Sequence, residues 1–393
     1  MTRAATRALL LVVGLLAGLA CGGTSSQATS TGLSSSDTPA TAAVTASGRL
    51  PADFLGLVSE HAFAAGPADR AKILGDQRRT GVQLLRQTFD WSTIEKTRGV
   101  YDFSIYDGFV HATARARIRL LPIIFRAPAF RSRTAKPSRT RKITATTTFP
   151  PRSNADMARF AARLVRRYGP RGTFWKENPD LPPLPIRSWQ VWNEPNLPAY
   201  WGGRPNAKQY VSMLRTVGSA IRKADRKAEI VSGGIPESRQ GIPLRTYLTQ
   251  MRRAGGLKTF TTLAIHPYAR NDAGVITAVS STRRLLNGWG YRRMPIWVTE
   301  LGWASQGPRS AFTAGPTRQG RYILHAITGL GQRAKQLNVR GVVYYGWKDA
   351  EPYPGGKDFW GLHTGLLRQD GTGKPALSKY YQAAGVLKRV RFR

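Results

Sequence analysis

The sequence predicts an α/β protein whose folded part is a single (β/α)₈ TIM barrel. Eight short apolar runs alternate with segments of helical hydrophobic periodicity between residues 54 and 347. The chain of 393 residues is long enough for one such barrel with insertions. A doubly wound sheet is the alternative, but it usually carries a Gly-rich turn after its first strand, and none follows residue 58.

The eight predicted strands are numbered in chain order and lie at residues 54–58, 81–86, 118–125, 188–193, 229–233, 263–268, 296–299 and 342–347. Between them, apolar side chains recur every three or four residues, as at Met157, Phe160 and Leu164, which predicts helices that pack on the sheet. Loops that follow strands form the active face of a barrel. The insertion 131–152 therefore belongs on that face, and the insertion 172–185 on the opposite one.

The N-terminal residues have the features of an export signal. Arg3 and Arg7 precede the apolar run 8–20, which is too short to cross a bilayer. Cys21, the single cysteine, follows at once and cannot form an internal disulfide. Its position resembles a bacterial lipobox, although Gly18 stands where an aliphatic residue is usual.

Three segments are therefore expected. Residues 1–21 are a signal peptide with lipidation at Cys21, residues 22–48 are a disordered Ser/Thr-rich linker, and residues 49–393 are the barrel domain. The protein is expected to be exported and held at the cell surface by a lipid anchor in the membrane. The alternative is an ordinary cleaved signal and a secreted protein.

The chain is strongly basic, with 60 Lys and Arg against 22 Asp and Glu and a net charge of +38. This charge indicates affinity for an anionic polysaccharide, a cell-wall polymer or a membrane surface. Motifs of nucleic-acid-binding proteins are missing from the sequence, so no specific nucleic acid is expected as a partner. The insertion 131–152 holds seven of the cations and no acid: Arg131, Arg133, Lys136, Arg139, Arg141, Lys142 and Arg152. It is interpreted either as a loop that steers an anionic glycan or as an insertion without bearing on the substrate.

Two carboxylates end the two strands that are richest in tryptophan. Strand four stops at Asn193 and Glu194, before Pro195, and strand seven is followed by Glu300. Strands four and seven lie across the barrel mouth from each other, so the two side chains can approach. Cleavage of a glycosidic bond requires such a pair, about 5–5.5 Å apart in retaining enzymes and about 6.5–9.5 Å apart in inverting ones. Sequence alone leaves both distances open.

These motifs resemble those of the clan A glycoside hydrolases, in particular family 39 and related family 5 enzymes. The similar segments are Trp-Asn-Glu-Pro at residues 192–195, Thr-Glu-Leu-Gly-Trp at 299–303 and the region 89–107. The resemblance implies a retaining hydrolase that cleaves O-glycosidic bonds in a poly- or oligosaccharide by double displacement. It assigns Glu194 as the general acid/base, Glu300 as the nucleophile and Asn193 as the partner of the sugar 2-hydroxyl.

The resemblance also implies further substrate-binding residues. Arg86, taken as the end of strand two, keeps Glu300 ionised. His266 and Tyr268 face the mouth from the end of strand six, and Tyr268 donates to the nucleophile. Trp347, after strand eight, forms an aromatic floor beneath the reacting sugar. Weaker candidates for sugar platforms are Trp91, Trp201 and Trp303.

The sequence implies no cofactor and no metal site. Its five histidines are scattered, without a pair at the spacing of metal ligands. The alternative function is a non-catalytic carbohydrate- or polyanion-binding cell-surface protein. A binding protein has no use for two carboxylates at the expected catalytic positions, and the net charge alone supports polyanion binding.

Overall fold

A computed structural model describes residues 48–133, 148–352 and 356–392. The strands in these ranges are β1 (Leu55–Val58), β2 (Leu84–Asp90), β3 (Arg119–Phe125), β4 (Ser188–Val191), β5 (Glu229–Val231), β6 (Ile235–Pro236), β7 (Leu263–His266), β8 (Ile296–Leu301) and β9 (Val339–Tyr345). All pair in parallel in one sheet, in the order β5-β4-β3-β2-β1-β9-β8-β7-β6.

Strands β5 and β6 are two pieces of one barrel strand, interrupted at residues 232–234. Val231, at the end of β5, bridges to Thr262 just before β7, and the Ser232 amide donates to the Thr262 carbonyl at 3.1 Å. Ile235 of β6 then pairs with Ile265 of β7. The two edges of the sheet therefore meet, and the predicted (β/α)₈ barrel is confirmed.

Helices surround the sheet. Those in the described ranges are α1 (Glu60–Ala64), α2 (Pro67–Thr80), α3 (Trp91–Ile94), α4 (Ser104–Arg115), α5 (Asn154–Tyr168), α6 (Thr173–Glu177), α7 (Pro198–Trp201), α8 (Ala207–Ala224), α9 (Leu244–Arg253), α10 (Asp272–Gly288), α11 (Pro316–Gln332), α12 (Ala334–Leu337) and α13 (Pro375–Arg389). Helix α5 shows why they form. Ser153 caps its N-terminus by accepting from the Asp156 amide, and its predicted apolar stripe is buried.

The barrel interior is filled in its lower and middle parts. An apolar cluster that includes Val58, Leu84 and Trp297 lies inside the barrel. Below it, Arg340 donates to both carboxylate oxygens of Asp53 at 2.8 and 2.9 Å, and its guanidinium carbon lies 4.5 Å from the Trp297 ring centre. The barrel is thus a packed core, and only its upper end, where the strands finish, can form a cleft.

Several predicted strand ends are corrected. Predicted strands four, six and eight end two residues earlier than expected, at Val191, His266 and Tyr345. Strand β2 does not end at Arg86 but continues to Asp90, because residues 87–90 remain paired with β3. Strand β8 runs to Leu301, so Glu300 lies within the strand and not after it. The insertion 172–185 contains α6 and leads into β4, which places it at the end opposite the cleft, as predicted.

The predicted signal peptide 1–21, with Cys21, and residues 22–47 of the predicted linker lie outside the described residues, as do residues 134–147 of the basic insertion. Export, lipidation and the linker therefore stay predictions. Among the described residues, no helix combines the length and the apolar character that crossing a membrane requires.

Candidate active site

An unusual backbone turn at the end of β4 aims two polar side chains into the cleft. Trp192 and Glu194 have φ values of 73° and 44°, in the left-handed region that is costly for residues other than glycine. Two hydrogen bonds hold the turn, from the Trp192 amide to the Ile124 carbonyl at 3.0 Å and from the Glu194 amide to the Gly234 carbonyl at 3.1 Å. Asn193 and Glu194 are consequently buried at the barrel mouth.

Glu300 reaches the same mouth through a β-bulge. Val298 pairs with Val342 and Leu301 pairs with Tyr344, so three steps along β8 oppose two steps along β9. One extra residue reverses the alternation of side chains along a strand. Leu301 can therefore pack in the main hydrophobic core while its neighbour Glu300 faces the cleft.

Arg86 links the two carboxylate-bearing strands. Its Nη1 donates to Glu300 Oε1 at 2.5 Å, its Nη2 donates to Asn193 Oδ1 at 2.7 Å, and its Nε donates to Gln190 Oε1 at 2.7 Å. The side chain is 2% exposed. The structure thus brings Arg86 to Glu300 as predicted and adds Gln190, which the sequence reasoning missed. Its inward position on β4, buried between apolar Trp189 and Val191, is the signal that could have found it.

His266 and Tyr268 both face the mouth, as predicted. His266 Nδ1 lies 2.7 Å from Glu194 Oε1 and 3.6 Å from Glu300 Oε2. The Tyr268 hydroxyl donates to Glu300 Oε2 at 2.8 Å. One oxygen of Glu194, one nitrogen of His266 and one oxygen of Glu300 all lie within 4.8 Å of one another. The two carboxylates therefore form a close pair with an imidazole between them.

The environments of the two carboxyl groups push their pKa values apart. Burial raises the pKa of Glu194, and the neighbouring His266 offsets this only in part. Burial acts in the same direction on Glu300, but the charges of His266 and Arg86 and the Tyr268 hydroxyl outweigh it and hold its pKa below the ordinary value. A carboxyl group with a raised pKa thus stands beside one with a lowered pKa, which is the arrangement that acid and nucleophile roles require.

A third carboxyl group, missed by the sequence reasoning, lies close to this pair. Glu60 begins α1, two residues after β1, and its Oε2 accepts from Gln87 Nε2 at 3.1 Å. Burial raises its pKa to about 7, and the charges of Arg86 and Glu300 act on it. Its place directly after a barrel strand is the signal that could have predicted a role at the active face.

Aromatic rings line one side of the mouth. The Tyr268 ring centre lies 5.2 Å from that of Trp360 and 5.9 Å from that of Phe312, and the last two are 4.7 Å apart. Trp360 and Phe312 come from the loops after β9 and β8, and the sequence reasoning did not single them out. Trp347 follows β9 by two residues and donates its amide to the Val58 carbonyl at 3.1 Å, which places it at the top of the barrel.

Three other tryptophans named as platform candidates pack against helices instead. Trp91 stacks on Phe160 of α5, Trp201 meets Tyr210 of α8 edge to face, and Trp303 lies against the ring of Tyr322 on α11. All three are buried. Assigning them to sugar binding is wrong, because each ring is occupied by the helical layer outside the barrel.

The basic insertion 131–152 begins and ends at the active face, as predicted. The Thr148 amide donates to the Ala199 carbonyl of α7 at 2.8 Å, so the insertion lies beside the loop that follows β4. Arg131, however, is only 11% exposed and forms ion pairs with Glu95 at 2.5 Å and Asp156 at 3.0 Å. Its charge is used inside the protein, so including Arg131 among steering cations is wrong. Steering by the other six cations stays a prediction; Arg133 and Arg152 are among the described residues, and the remaining four lie within 134–147.

Glu194, His266 and Glu300 are the group among the described residues whose donor atoms are close enough to share a metal ion. The donor set is unfavourable for a cation. Both oxygens of Glu300 already accept hydrogen bonds, from Arg86 and Tyr268, and a metal there would lie beside the Arg86 guanidinium. The arrangement suits acid–base and nucleophilic chemistry better than metal binding.

Solved structures that match the fold of this chain include glycoside hydrolases. A family 39 glycoside hydrolase from the gut symbiont Bacteroides cellulosilyticus WH2 matches with a TM-score of 0.62 and 20% identity over 88% of this chain and 66% of its own. A monomeric β-xylosidase from Caulobacter crescentus CB15 matches with a TM-score of 0.60 and 16% identity over 88% of this chain and 70% of its own. An exo-β-1,4-mannosidase from Opitutaceae bacterium strain TAV5 matches with a TM-score of 0.59 and 16% identity over 88% of this chain and 62% of its own.

These matches confirm the resemblance to clan A glycoside hydrolases at the level of the fold. The chain spans about two thirds of the length of each of these three proteins, and identities of 16–20% do not carry over a substrate. No family model matches the sequence, and no curated protein matches it.

Proposed function

We propose that the protein is a retaining O-glycosyl hydrolase that cleaves glycosidic bonds in a poly- or oligosaccharide. The observation that carries this proposal is the close approach of Glu194 and Glu300, with one oxygen of each within 4.8 Å of the other. Retaining enzymes need about 5–5.5 Å between their carboxyl groups, whereas inverting enzymes need about 6.5–9.5 Å to admit a water molecule. The observed spacing supports retention.

In the first step, the Glu300 carboxylate attacks the anomeric carbon while the bond to the leaving oxygen breaks. Protonated Glu194 gives its proton to that oxygen, and a glycosyl ester forms on Glu300. In the second step, the Glu194 carboxylate takes a proton from water, the water oxygen attacks the anomeric carbon, and Glu300 is released. The opposed pKa shifts support this division of roles.

Neighbouring groups support the reaction. Arg86 and Tyr268 each donate to a different oxygen of Glu300, which orients the nucleophile and keeps it ionised. Because Arg86 occupies Asn193 Oδ1, the Asn193 amide keeps its Nδ2 donor for the sugar 2-hydroxyl. Trp347 is the proposed aromatic floor for the apolar C–H face of the sugar.

Substitution of each carboxylate tests the proposal on a panel of aryl glycosides and bacterial polysaccharides. Glu300→Gln should lose several orders of magnitude in turnover. Glu194→Ala should lose about 10²–10⁴-fold on substrates with poor leaving groups but keep the first step on dinitrophenyl glycosides, where azide should restore turnover. Exposed Glu351 provides the matched control, since Glu351→Gln should be silent.

Wild-type rates in both catalytic variants, on every substrate that the enzyme accepts, would contradict the assignment. The stereochemistry is tested separately by proton NMR of the first product. A product with the anomeric configuration of the substrate supports double displacement. Initial formation of the opposite anomer would refute retention while leaving a glycosidase.

A further inference from the structure

The charges of this protein are arranged along the barrel axis. Helices run antiparallel to the strands, so the last turns of the helices and the loops that lead from them into the next strand share one end of the barrel, opposite the candidate active site. We call this end the basal face. Helices α2, α5, α8, α9 and α13 each carry two basic residues in their last turn, and α4 carries one.

The opposite end carries both signs of charge: cations in its loops, such as exposed Arg204, Arg270 and Arg309, and acids at the starts of its helices. The first turns of α1, α2, α5 and α10 each hold one acidic residue. Asp107, in the first turn of α4, instead pairs with Arg167 at 2.7 Å, and Arg167 also pairs with Glu177, so the charge of Arg167 is used inside the protein. Cations at helix C-termini interact favourably with the helix dipole, which accounts for part of this pattern. It does not account for the basal loops beyond the helices, where Arg117, Arg226, Lys227 and Arg292 are exposed.

Acids near the basal face are partly used inside the barrel. Asp53 and Glu229 are directed at Arg340, which lies 2.8 Å from Asp53 and 3.5 Å from Glu229. Arg340 itself is 5% exposed. These carboxylates close the bottom of the barrel interior, so they do not neutralise the exposed cations around its rim.

The chain enters the barrel at this same face. The Gly48 carbonyl accepts from the Phe392 amide at 2.7 Å, just beyond the end of α13 with Lys388 and Arg389. Residues 1–47, which include the apolar run 8–20 and Cys21, are therefore attached at the basal face. If residues 1–47 bind a membrane, the basal face is the end of the barrel that they connect to that membrane.

We propose that the basal face docks on an anionic lipid bilayer and turns the barrel mouth away from the membrane. Basic side chains within a Debye length of anionic headgroups are attracted to them, and the attraction adds over many cations. A soluble polyanion would be drawn by the same charges. The attachment of the N-terminal segment at this face favours the bilayer, because the two contacts then act on one surface.

Binding of the full-length chain to vesicles tests the proposal. Phosphatidylcholine vesicles with and without phosphatidylglycerol are compared, so that insertion of the apolar run 8–20 contributes equally to both. The basal variant combines Arg117→Gln, Lys227→Gln, Arg253→Gln and Arg292→Gln, all at exposed positions. Its preference for the anionic vesicles should fall roughly fivefold for each cation removed, and salt should weaken the wild-type preference in the same way.

A matched control removes four exposed cations from loops at the other end of the barrel: Arg204→Gln, Arg270→Gln, Arg309→Gln and Lys357→Gln. The net charge of the control equals that of the basal variant, so its vesicle preference should stay close to wild type. An equal loss of vesicle preference in both variants would show that binding depends on the net charge of the protein and not on the basal face. That result would overturn the proposal. Circular dichroism of each variant verifies that the fold is intact.

Hydrogen exchange gives the orientation independently. Anionic vesicles should protect the basal loops at residues 115–119 and 225–229 and leave residues 192–198 at the barrel mouth unchanged. Protection of the mouth instead, equal binding to both kinds of vesicle, or binding to polyphosphate and duplex DNA without a preference for anionic vesicles would each refute the proposal. The last result would identify a soluble polyanion as the partner.

Discussion

Arg86 Nη1 donates to Glu300 Oε1 at 2.5 Å and so joins β2 to β8 across the top of the barrel. Both side chains are buried. Removing one member of a buried ion pair leaves an uncompensated charge, which costs about 3–5 kcal/mol unless the remaining group changes its protonation. For Glu300 that change is proton uptake, which would abolish it as a nucleophile.

Arg86→Met should therefore raise the pKa of Glu300 and move the acidic limb of the kcat/KM profile to higher pH. Arg86→Lys should keep the positive charge but lose the guanidinium hydrogen bonds to Gln190 and Asn193. The resulting misplacement of side chains in the site can lower the rate about 10²-fold. The measurement is kcat/KM against pH for the two variants and the wild type. An acidic limb that stays in place in Arg86→Met would show that the guanidinium does not hold Glu300 ionised.

His266→Asn should shift the whole pH–rate profile. His266 lowers the pKa of Glu300 by its charge and that of Glu194 by its charge and hydrogen bond. The acidic limb reports ionisation of Glu300 and the basic limb reports loss of the Glu194 proton. Removing the imidazole raises both pKa values, so both limbs should move to higher pH. Movement of only one limb, or movement to lower pH, would contradict the conclusion that His266 lowers the pKa values of both Glu194 and Glu300.

Gly234→Ala should disable the site without touching a catalytic group. A Cβ at Gly234 would lie 1.9 Å from His266 Nε2, so the imidazole would have to leave its place beside Glu194. We expect kcat/KM to fall by about 10²-fold, the cost of a small misplacement in a catalytic site. Gly385→Ala is the control, because no atom lies within 4 Å of its added Cβ. Wild-type kinetics in Gly234→Ala would mean that the ring position is not needed.

Glu60→Gln should change how stability depends on pH. The pKa of Glu60 is raised from 4.5 to about 7 in the folded protein, so the folded state binds its proton more tightly than the unfolded state does. Protonation of Glu60 therefore stabilises the folded protein. This stabilisation is fully present below about pH 4.5 and is lost as the pH rises through about 7. At 1.36 kcal/mol per pKa unit it amounts to up to about 3 kcal/mol.

Urea denaturation at pH 5 and pH 8 measures the effect. The wild type should lose more unfolding free energy than Glu60→Gln over this interval, whereas Glu351→Gln, at an exposed position, should behave as the wild type. Identical pH dependence of all three proteins would rule out a raised pKa at Glu60.

Local patterns in the sequence were sufficient to predict the barrel and most of the mouth. Alternating apolar runs and helical stripes identified the eight strands. Because every strand of a parallel barrel finishes on the same face, polar residues that end those runs must meet there. This reasoning placed Asn193, Glu194, His266 and Tyr268 correctly, and the structure shows all four at the cleft.

The remaining features depend on contacts between residues far apart in the chain. Arg86 meets Gln190 and Glu300 across 104 and 214 positions, and Glu300 faces inward only because β8 bulges against β9. Trp303 belongs to the same sequence motif as Glu300, but its ring packs against Tyr322 of α11 and not in the cleft. Periodicity specifies which residues form strands, whereas the pairing register of neighbouring strands decides which side of the sheet each of them faces.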